Sequence, residues 1–465
     1  MIQLTDHDSA ARLPTPRRSR LRTGIAADLV FRPWFDSLAL PSIARWFFPL
    51  SRAWAAATRA GMDVERFSAE IPAGVAAGRL VEIALARVAS RQHEYESATA
   101  AWTEAFFDLG SQPPGRLVAA ERRREAAAHA WMATRSGFLP LHLRRRFPAV
   151  RWELTREDAV ERRHGGRLAE PLSAFAPALE APVTLTHSVA AAAGRVRWLR
   201  FPSRVGGLHD TAWARVIEPD GVRDPPTVIF LHGICVESEL WRADGGRIDS
   251  LVEGGIRIMR PEGPWHGRRR EAGWFGGEPI MARGPLGMLD AFEAWVGEVA
   301  RLIAWARSTS RGPVAIGGIS LGALTSQLAA TAAVHWPAPL QPDALFLVGT
   351  TGSVIEATVA GSLPRALGVF PRLSELGWTQ AVLRRWSPLV EPHGKPVMPP
   401  GNIVMVIGTS DDVTPSDGGL ALAEDWGVPT GNLFLRDQGH FSVGLGLERA
   451  TAPLARLAEI LGRRR

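Results

Sequence analysis

Ser320, Asp411 and His440 occur along this chain in that order, and together they could run acyl transfer. Ser320 sits in Gly317-Gly318-Ile319-Ser320-Leu321-Gly322-Ala323-Leu324, directly after the apolar run Val314-Ala315-Ile316. A serine in a sharp strand-to-helix turn presents its hydroxyl outward on strained backbone. Side chains two residues to either side would collide there, which calls for glycine at 318 and 322. The same turn aims the amide of Leu321 at a developing oxyanion, and the start of the next helix favours negative charge. Gly-x-Ser-x-Gly is a short and common pattern; its place between a buried strand and a helix gives it weight.

A general base and an acid to orient it should follow later strands. The run Asn402–Ile407 ends in Gly408-Thr409-Ser410-Asp411-Asp412-Val413-Thr414-Pro415. Asp411 has the better spacing from Gly408 and Pro415; Asp412 is the alternative and could instead cap the next helix. The run Asn432–Leu435 leads to Gly439-His440-Phe441, and of 12 histidines only His440 comes after Asp411. A nearly dry carboxylate behind a histidine holds its tautomer and stabilises the imidazolium. The strand Val228–Leu231 runs into His232-Gly233-Ile234-Cys235. There Gly233 lets the chain turn, and the amide of Ile234 would join that of Leu321 as a second oxyanion donor. His232 is expected to hydrogen-bond within its loop, and Cys235 to be a small wall residue.

These residues need a scaffold, and the pattern supplies one. From about Pro182 onward, short apolar runs alternate with helix-length segments: Val183–Thr186, Val196–Phe201, Ala212–Ile217, Pro226–Leu231, Gly255–Met259, Pro313–Ile316, Ala344–Val348, Asn402–Ile407 and Asn432–Leu435. Such alternation predicts an α/β fold: a mostly parallel twisted sheet with helices on both faces and its chemistry at the carboxyl ends of the strands. The preceding third is helical in pattern. Residues 1–25 are expected to be a flexible arm, 26–180 a helical region, and 181–465 the sheet domain. Within 26–180, Val75–Ser90, Glu94–Leu109 and Leu117–Thr134 carry no proline, and Gly110 to Gly115 forms a break. The stretch Phe31–Ala57 is rich in aromatics, with Arg45 and Arg52 interspersed. Two readings stay open: rings buried between helices, or a peripheral contact with a membrane.

Composition narrows the class. The chain has 465 residues, 46% hydrophobic and 22% charged, which excludes wholesale disorder. A single cysteine excludes an intrachain disulfide. The net charge is +7, and Lys395 is the only lysine among 54 basic residues. The arginines are scattered and Tyr95 is the only tyrosine, so no nucleic-acid partner is expected. No long apolar run predicts a membrane span, and the first residues lack a secretory pattern; a cytoplasmic protein is expected. The histidines show no metal-type spacing, so neither a metal nor an organic cofactor is expected.

With Ser320, Asp411 and His440 in that order, the chain from about Pro182 to Arg465 resembles the α/β-hydrolase superfamily. The segment Arg260-Pro261-Glu262-Gly263-Pro264-Trp265-His266-Gly267-Arg268-Arg269, followed by Gly276-Gly277-Glu278, is similar to the abhydrolase domain-containing protein 18 group. It is also similar to some acetyl-xylan-esterase-like and dienelactone-hydrolase-like members. The resemblance implies that Trp265 and His266 line the mouth of the site. It also implies that the stretch 351–400, with Phe370, Leu376, Trp378, Leu383 and Trp386, forms a cap over a hydrophobic acyl group. Phe441 is expected to face the pocket. The implied activity is a serine hydrolase acting on a small-molecule or lipid ester through an acyl-enzyme. The same three residues also serve acyltransferases and peptidases, and a non-catalytic binding protein could keep the fold.

Overall fold

The computed structural model describes residues 12–13, 32–71, 78–108, 110–180, 182–203, 208–237, 246–447 and 451–463. Its strands are β1 (Thr184–Leu185), β2 (Val189–Ala191), β3 (Gly194–Pro202), β4 (Thr211–Glu218), β5 (Thr227–Leu231), β6 (Arg257–Pro261), β7 (Val314–Ile319), β8 (Ala344–Val348), β9 (Ile403–Gly408) and β10 (Leu433–Arg436). They form one ten-stranded sheet in the order β1-β3-β4-β6-β5-β7-β8-β9-β10, with β2 paired to β3. The six strands from β6 to β10 pair in parallel. The remaining four make an antiparallel edge, and β4 meets β6 antiparallel.

Every residue of β5, β6, β8 and β9 is buried, as expected of parallel strands covered on both faces. Alternation divides their side chains between two cores. Ile229, Ile316, Leu345, Leu347 and Met405 join one, while Val228, Ala315, Phe346, Val404 and Val406 join the other. The first core is covered by Pro285–Thr309 and Leu321–Ala332, the second by the last helix, Thr451–Gly462.

The amino-terminal helices share these cores. Trp54, Leu85 and Val88 belong to the first, Trp102 and Phe106 to the second. One helix, Arg79–Phe107, serves both, because it passes the antiparallel edge, where Trp102 meets Trp198 of β3 and Trp213 of β4. The segments read separately as Val75–Ser90 and Glu94–Leu109 run together in this one helix. Its polar stretch is held in register by Arg91–Glu94 and Gln92–Glu96 bonds at 2.6 and 2.9 Å. The break from Gly110 to Gly115 is real, and the next helix starts at Pro114.

Of the arm expected over residues 1–25, only Arg12 and Leu13 are described. Leu13 is buried and donates its N–H to the carbonyl of Ala190 in β2, at 2.9 Å. Those two residues are therefore fixed to the sheet. Strand β2 itself was too short to leave a pattern in the sequence.

Candidate active site

The carboxyl ends of the parallel strands bring the chemistry together. Ser320 follows β7 with φ 55° and ψ −122°, a left-handed conformation that non-glycine residues seldom adopt. The glycines around it have a steric reason. A β-carbon on Gly318 would lie 2.5 Å from the carbonyl carbon of Gly322, and one on Gly322 would lie 2.4 Å from the oxygen of Leu231. The helix Leu321–Ala332 starts at the next residue.

His440 begins a short helix after β10, and its Nε2 lies 2.9 Å from the Ser320 hydroxyl. Its Nδ1 lies 2.8 Å from Oδ2 of Asp411, which follows β9. Asp411 is buried and satisfied: Oδ1 accepts the N–H groups of Val413 and Thr414, and Oδ2 accepts the Thr414 hydroxyl at 2.9 Å. Asp412, the alternative, is exposed and accepts the hydroxyl of Ser362 instead. Burial works against charge on His440. Asp411, joined by Asp36 and Asp412, outweighs it and holds the imidazole above its usual 6.5.

A serine on a strand-to-helix elbow, with an aspartate and a histidine hydrogen-bonded in line with it and following later strands, defines the architecture. The fold is that of the α/β-hydrolases. No protein-family model matches the chain, and no curated protein matches it. Loose likenesses exist among solved structures. Acetyl xylan esterase 1 from Thermoanaerobacterium sp. is 15% identical over 61% of this chain and 93% of its own, with a TM-score of 0.44. S-formylglutathione hydrolase from Agrobacterium tumefaciens is 15% identical over 60% of this chain and 100% of its own, with a TM-score of 0.39. An esterase from Pyrobaculum calidifontis is 15% identical over 63% of this chain and 85% of its own, with a TM-score of 0.39. The α/β-hydrolase assignment rests on the strand order and the elbow rather than on these likenesses.

Two apolar cavities open at Ser320. One, of about 160 Å³, is bounded by Ile234, Leu321 and Leu324 and by Leu363, Leu373 and Trp386 from the stretch 351–400. That stretch forms four short helices between β8 and β9: Val354–Ala360, Ser362–Leu367, Val369–Glu375 and Gln380–Arg385. Trp378 anchors it by donating its indole N–H to the carbonyl of Thr155 at 2.8 Å. The second cavity, of about 480 Å³, reaches from Ser320 and His440 to Ile43, Phe47, Phe48 and Phe441. Phe441 thus borders the space at the serine. Cys235 also lines this cavity; burial, with Glu278 and Glu237 nearby, pushes its thiol well up, so it stays protonated.

Trp265 and His266 do not line either cavity, which corrects the expectation for them. Trp265 is 2% exposed, and its indole N–H bonds Glu271 at 2.7 Å. His266 is fully buried; its Nε2 accepts the backbone N–H of Cys235 at 3.0 Å, and its Nδ1 lies 2.8 Å from the carbonyl of Pro264. Both side chains turn inward because the loop after β6 folds back under the loop after β5. His232 works alongside. Its Nε2 accepts the N–H of Gly263 at 2.9 Å, and its Nδ1 faces the carbonyl of Gly233. Burial lowers His232 to about 4 and holds His266 well below its usual value, so both rings are neutral struts under Gly233-Ile234-Cys235.

The aromatic stretch is mainly internal. Phe48 and Trp54 are buried, and Trp54 lies 4.9 Å from Trp131, centroid to centroid. Arg52, interspersed among these aromatics, is fully buried and bonded to Glu278 at 2.9 Å. Trp34 is half exposed, and Phe31 lies outside the described residues. No helix among the described residues is long and apolar enough to cross a membrane. One set of metal-type groups, His164, Asp290 and Glu293, comes close together. Arg163 bonds Asp290 and Arg167 pairs with Glu293, so cations already serve those carboxylates.

Sequence reasoning missed four contributors. Thr414 left a weak trace, lying three residues after Asp411. Phe47 and Phe48 were seen as aromatic but not as cavity walls. Asp36 left no trace at all.

Proposed function

We propose that the protein is a serine hydrolase that cleaves esters with apolar groups. The carrying observation is the hydrogen-bonded series Ser320–His440–Asp411, at 2.9 and 2.8 Å, open to apolar space on two sides. Ser320 Oγ attacks the ester carbonyl as His440 Nε2 takes its proton. Asp411 keeps the Nδ1 proton on His440 and stabilises the imidazolium, its own second oxygen being held by the amides of Val413 and Thr414. The amides of Leu321 and Ile234 receive the oxyanion. His440 then protonates the departing alcohol, and water activated by the same ring releases the acyl group from Ser320. No metal or organic cofactor enters these steps.

The cavities support the substrate class. Their walls are hydrophobic on both sides of Ser320, so an ester apolar on each side of its scissile bond fits best, a small-molecule or lipid ester. The helices over 351–400 are the cap that excludes water from one side. The intact contact between Ser320 and His440 speaks against a purely binding role.

Labelling with a fluorophosphonate probe tests this, because such probes report an activated serine without needing the substrate. Wild type is expected to label, and Ser320→Ala to lose labelling and ester turnover while keeping its melting temperature. Folded wild type that neither labels nor cleaves p-nitrophenyl butyrate would refute the proposal.

A further inference from the structure

The helix that carries His440 has an incomplete start. Its first residue follows Gly439, which has no side chain to accept the free N–H groups at a helix beginning. The acceptor comes from the other end of the chain. Asp36, on the helix Pro33–Ser42, accepts the N–H of Phe441 at 2.5 Å and that of Ser442 at 3.3 Å. The hydroxyl of Ser442 also donates to Asp36, while its oxygen accepts the N–H of Gly439 at 2.8 Å. The fit is close: a β-carbon on Gly439 would stand 2.5 Å from the carboxyl carbon of Asp36. One residue before the Asp36 helix, Arg32 pairs with Asp437 at 3.0 Å. Beyond it, Ile43, Phe47 and Phe48 wall the cavity beside His440.

We propose that Asp36 is a positioning residue for His440: its carboxylate supplies the missing cap and fixes the ring against Ser320. The inference rests on the hydrolase reading of Ser320 and His440. Locally, Ser442 pairs only with Gly439, and a glycine before the histidine offers no side-chain acceptor for the N–H groups of Phe441 and Ser442. The amino-terminal helices are then part of the catalytic apparatus, not an appendage to it. The charged and polar groups around the ring are Asp411, Thr414, Ser320, Asp412 and Asp36. Asp36 adds a negative charge that favours the protonated ring.

The test uses the full chain with Asp36→Ala and Asp36→Asn, p-nitrophenyl butyrate as the ester, and the fluorophosphonate probe. Asp36→Ala is expected to lower kcat about 10- to 100-fold with little change in KM, because a misplaced base fails in the reaction rather than in binding. Asp36→Asn keeps an accepting oxygen and is expected to lose less. It removes the charge, so the acid limb of its pH profile should move to lower pH. The His440 imidazole titration followed by NMR should move the same way, and it needs no turnover. Wild-type kcat, pH profile and titration in Asp36→Asn would overturn the proposal, whatever happens to melting temperature. If Asp36→Ala does not fold, Asp36→Asn decides alone. A shifted titration in a protein that never labels or cleaves esters would sink the hydrolase reading and leave the positioning intact.

Discussion

A β-carbon on Gly322 would stand 2.4 Å from the carbonyl oxygen of Leu231, two residues before the chain turns at Gly233. The helix after Ser320 and the end of β5 therefore touch backbone to backbone. Gly322→Ala should push them apart. The expected cost is about 1–3 kcal/mol of stability, as for other overpacked sites. Labelling by the fluorophosphonate should fall with it, because the proposed oxyanion donors, the amides of Leu321 and Ile234, would be pushed apart. Urea melts alongside probe labelling check this; an unchanged pair of values would show that the contact is not needed.

Ser320 stands at φ 55°, where glycine is at ease and serine is strained. Ser320→Gly should therefore abolish turnover and raise stability at the same time. Such strain costs about 1–3 kcal/mol, and the extra freedom of glycine in the unfolded chain takes back about 0.4–1 kcal/mol. A net gain of about 1 kcal/mol is expected in chemical denaturation. Ser320→Ala, which keeps a β-carbon, should show no such gain.

In the proposed mechanism His440 must be neutral to take a proton from Ser320. Its carboxylate neighbours raise its pKa above 6.5 against the effect of burial. The rate kcat/KM should therefore rise with pH through a midpoint above 6.5, and be lost below it. A profile measured with p-nitrophenyl butyrate checks the direction. A midpoint below 6.5 would show that Asp411 does not face the ring in solution.

His232 is held neutral by burial, with a pKa of about 4 against 6.5. Between these values the unfolded chain binds a proton that the folded chain refuses, so its contribution is full above about pH 6.5 and is lost as pH falls toward 4. At 1.36 kcal/mol per unit the loss is about 3 kcal/mol. Glu278, pushed up to about 7 by burial despite Arg52, has the opposite slope in the same range. The comparison is therefore between wild type and His232→Asn, by urea melts from pH 4 to 7. The variant should be less stable at pH 7 and should lose less of its stability toward pH 4.

Much of the frame was legible because its causes are local. A parallel strand buried on both faces must be apolar throughout, so Val228–Leu231 and Ala344–Val348 stood out within five residues. The elbow is likewise a steric problem solved between Gly318 and Gly322. The order of Ser320, Asp411 and His440 followed from where strands end. The choice between Asp411 and Asp412 was partly legible through spacing, and the structure turns the first toward His440 and the second toward Ser362.

Other features could not be read this way. Trp265 and His266 were expected at the mouth and are instead turned inward, His266 supporting the loop Gly233-Ile234-Cys235. A loop residue's direction depends on which other loop it meets, and His266 meets Cys235 31 positions away. Arg52 is a buried partner of Glu278, 226 positions on, a pairing that its neighbours in the chain do not record. Asp36 and Phe441 are 405 positions apart.

By itself, then, the sequence determined the sheet, the elbow and the order of the candidate triad, because periodicity and backbone sterics act over a few neighbouring residues. Only the tertiary structure decided which walls surround Ser320 and what steadies His440. Those depend on helices from the first sixty residues packing against loops near the end, and no local pattern records where a distant carboxylate or ring will land.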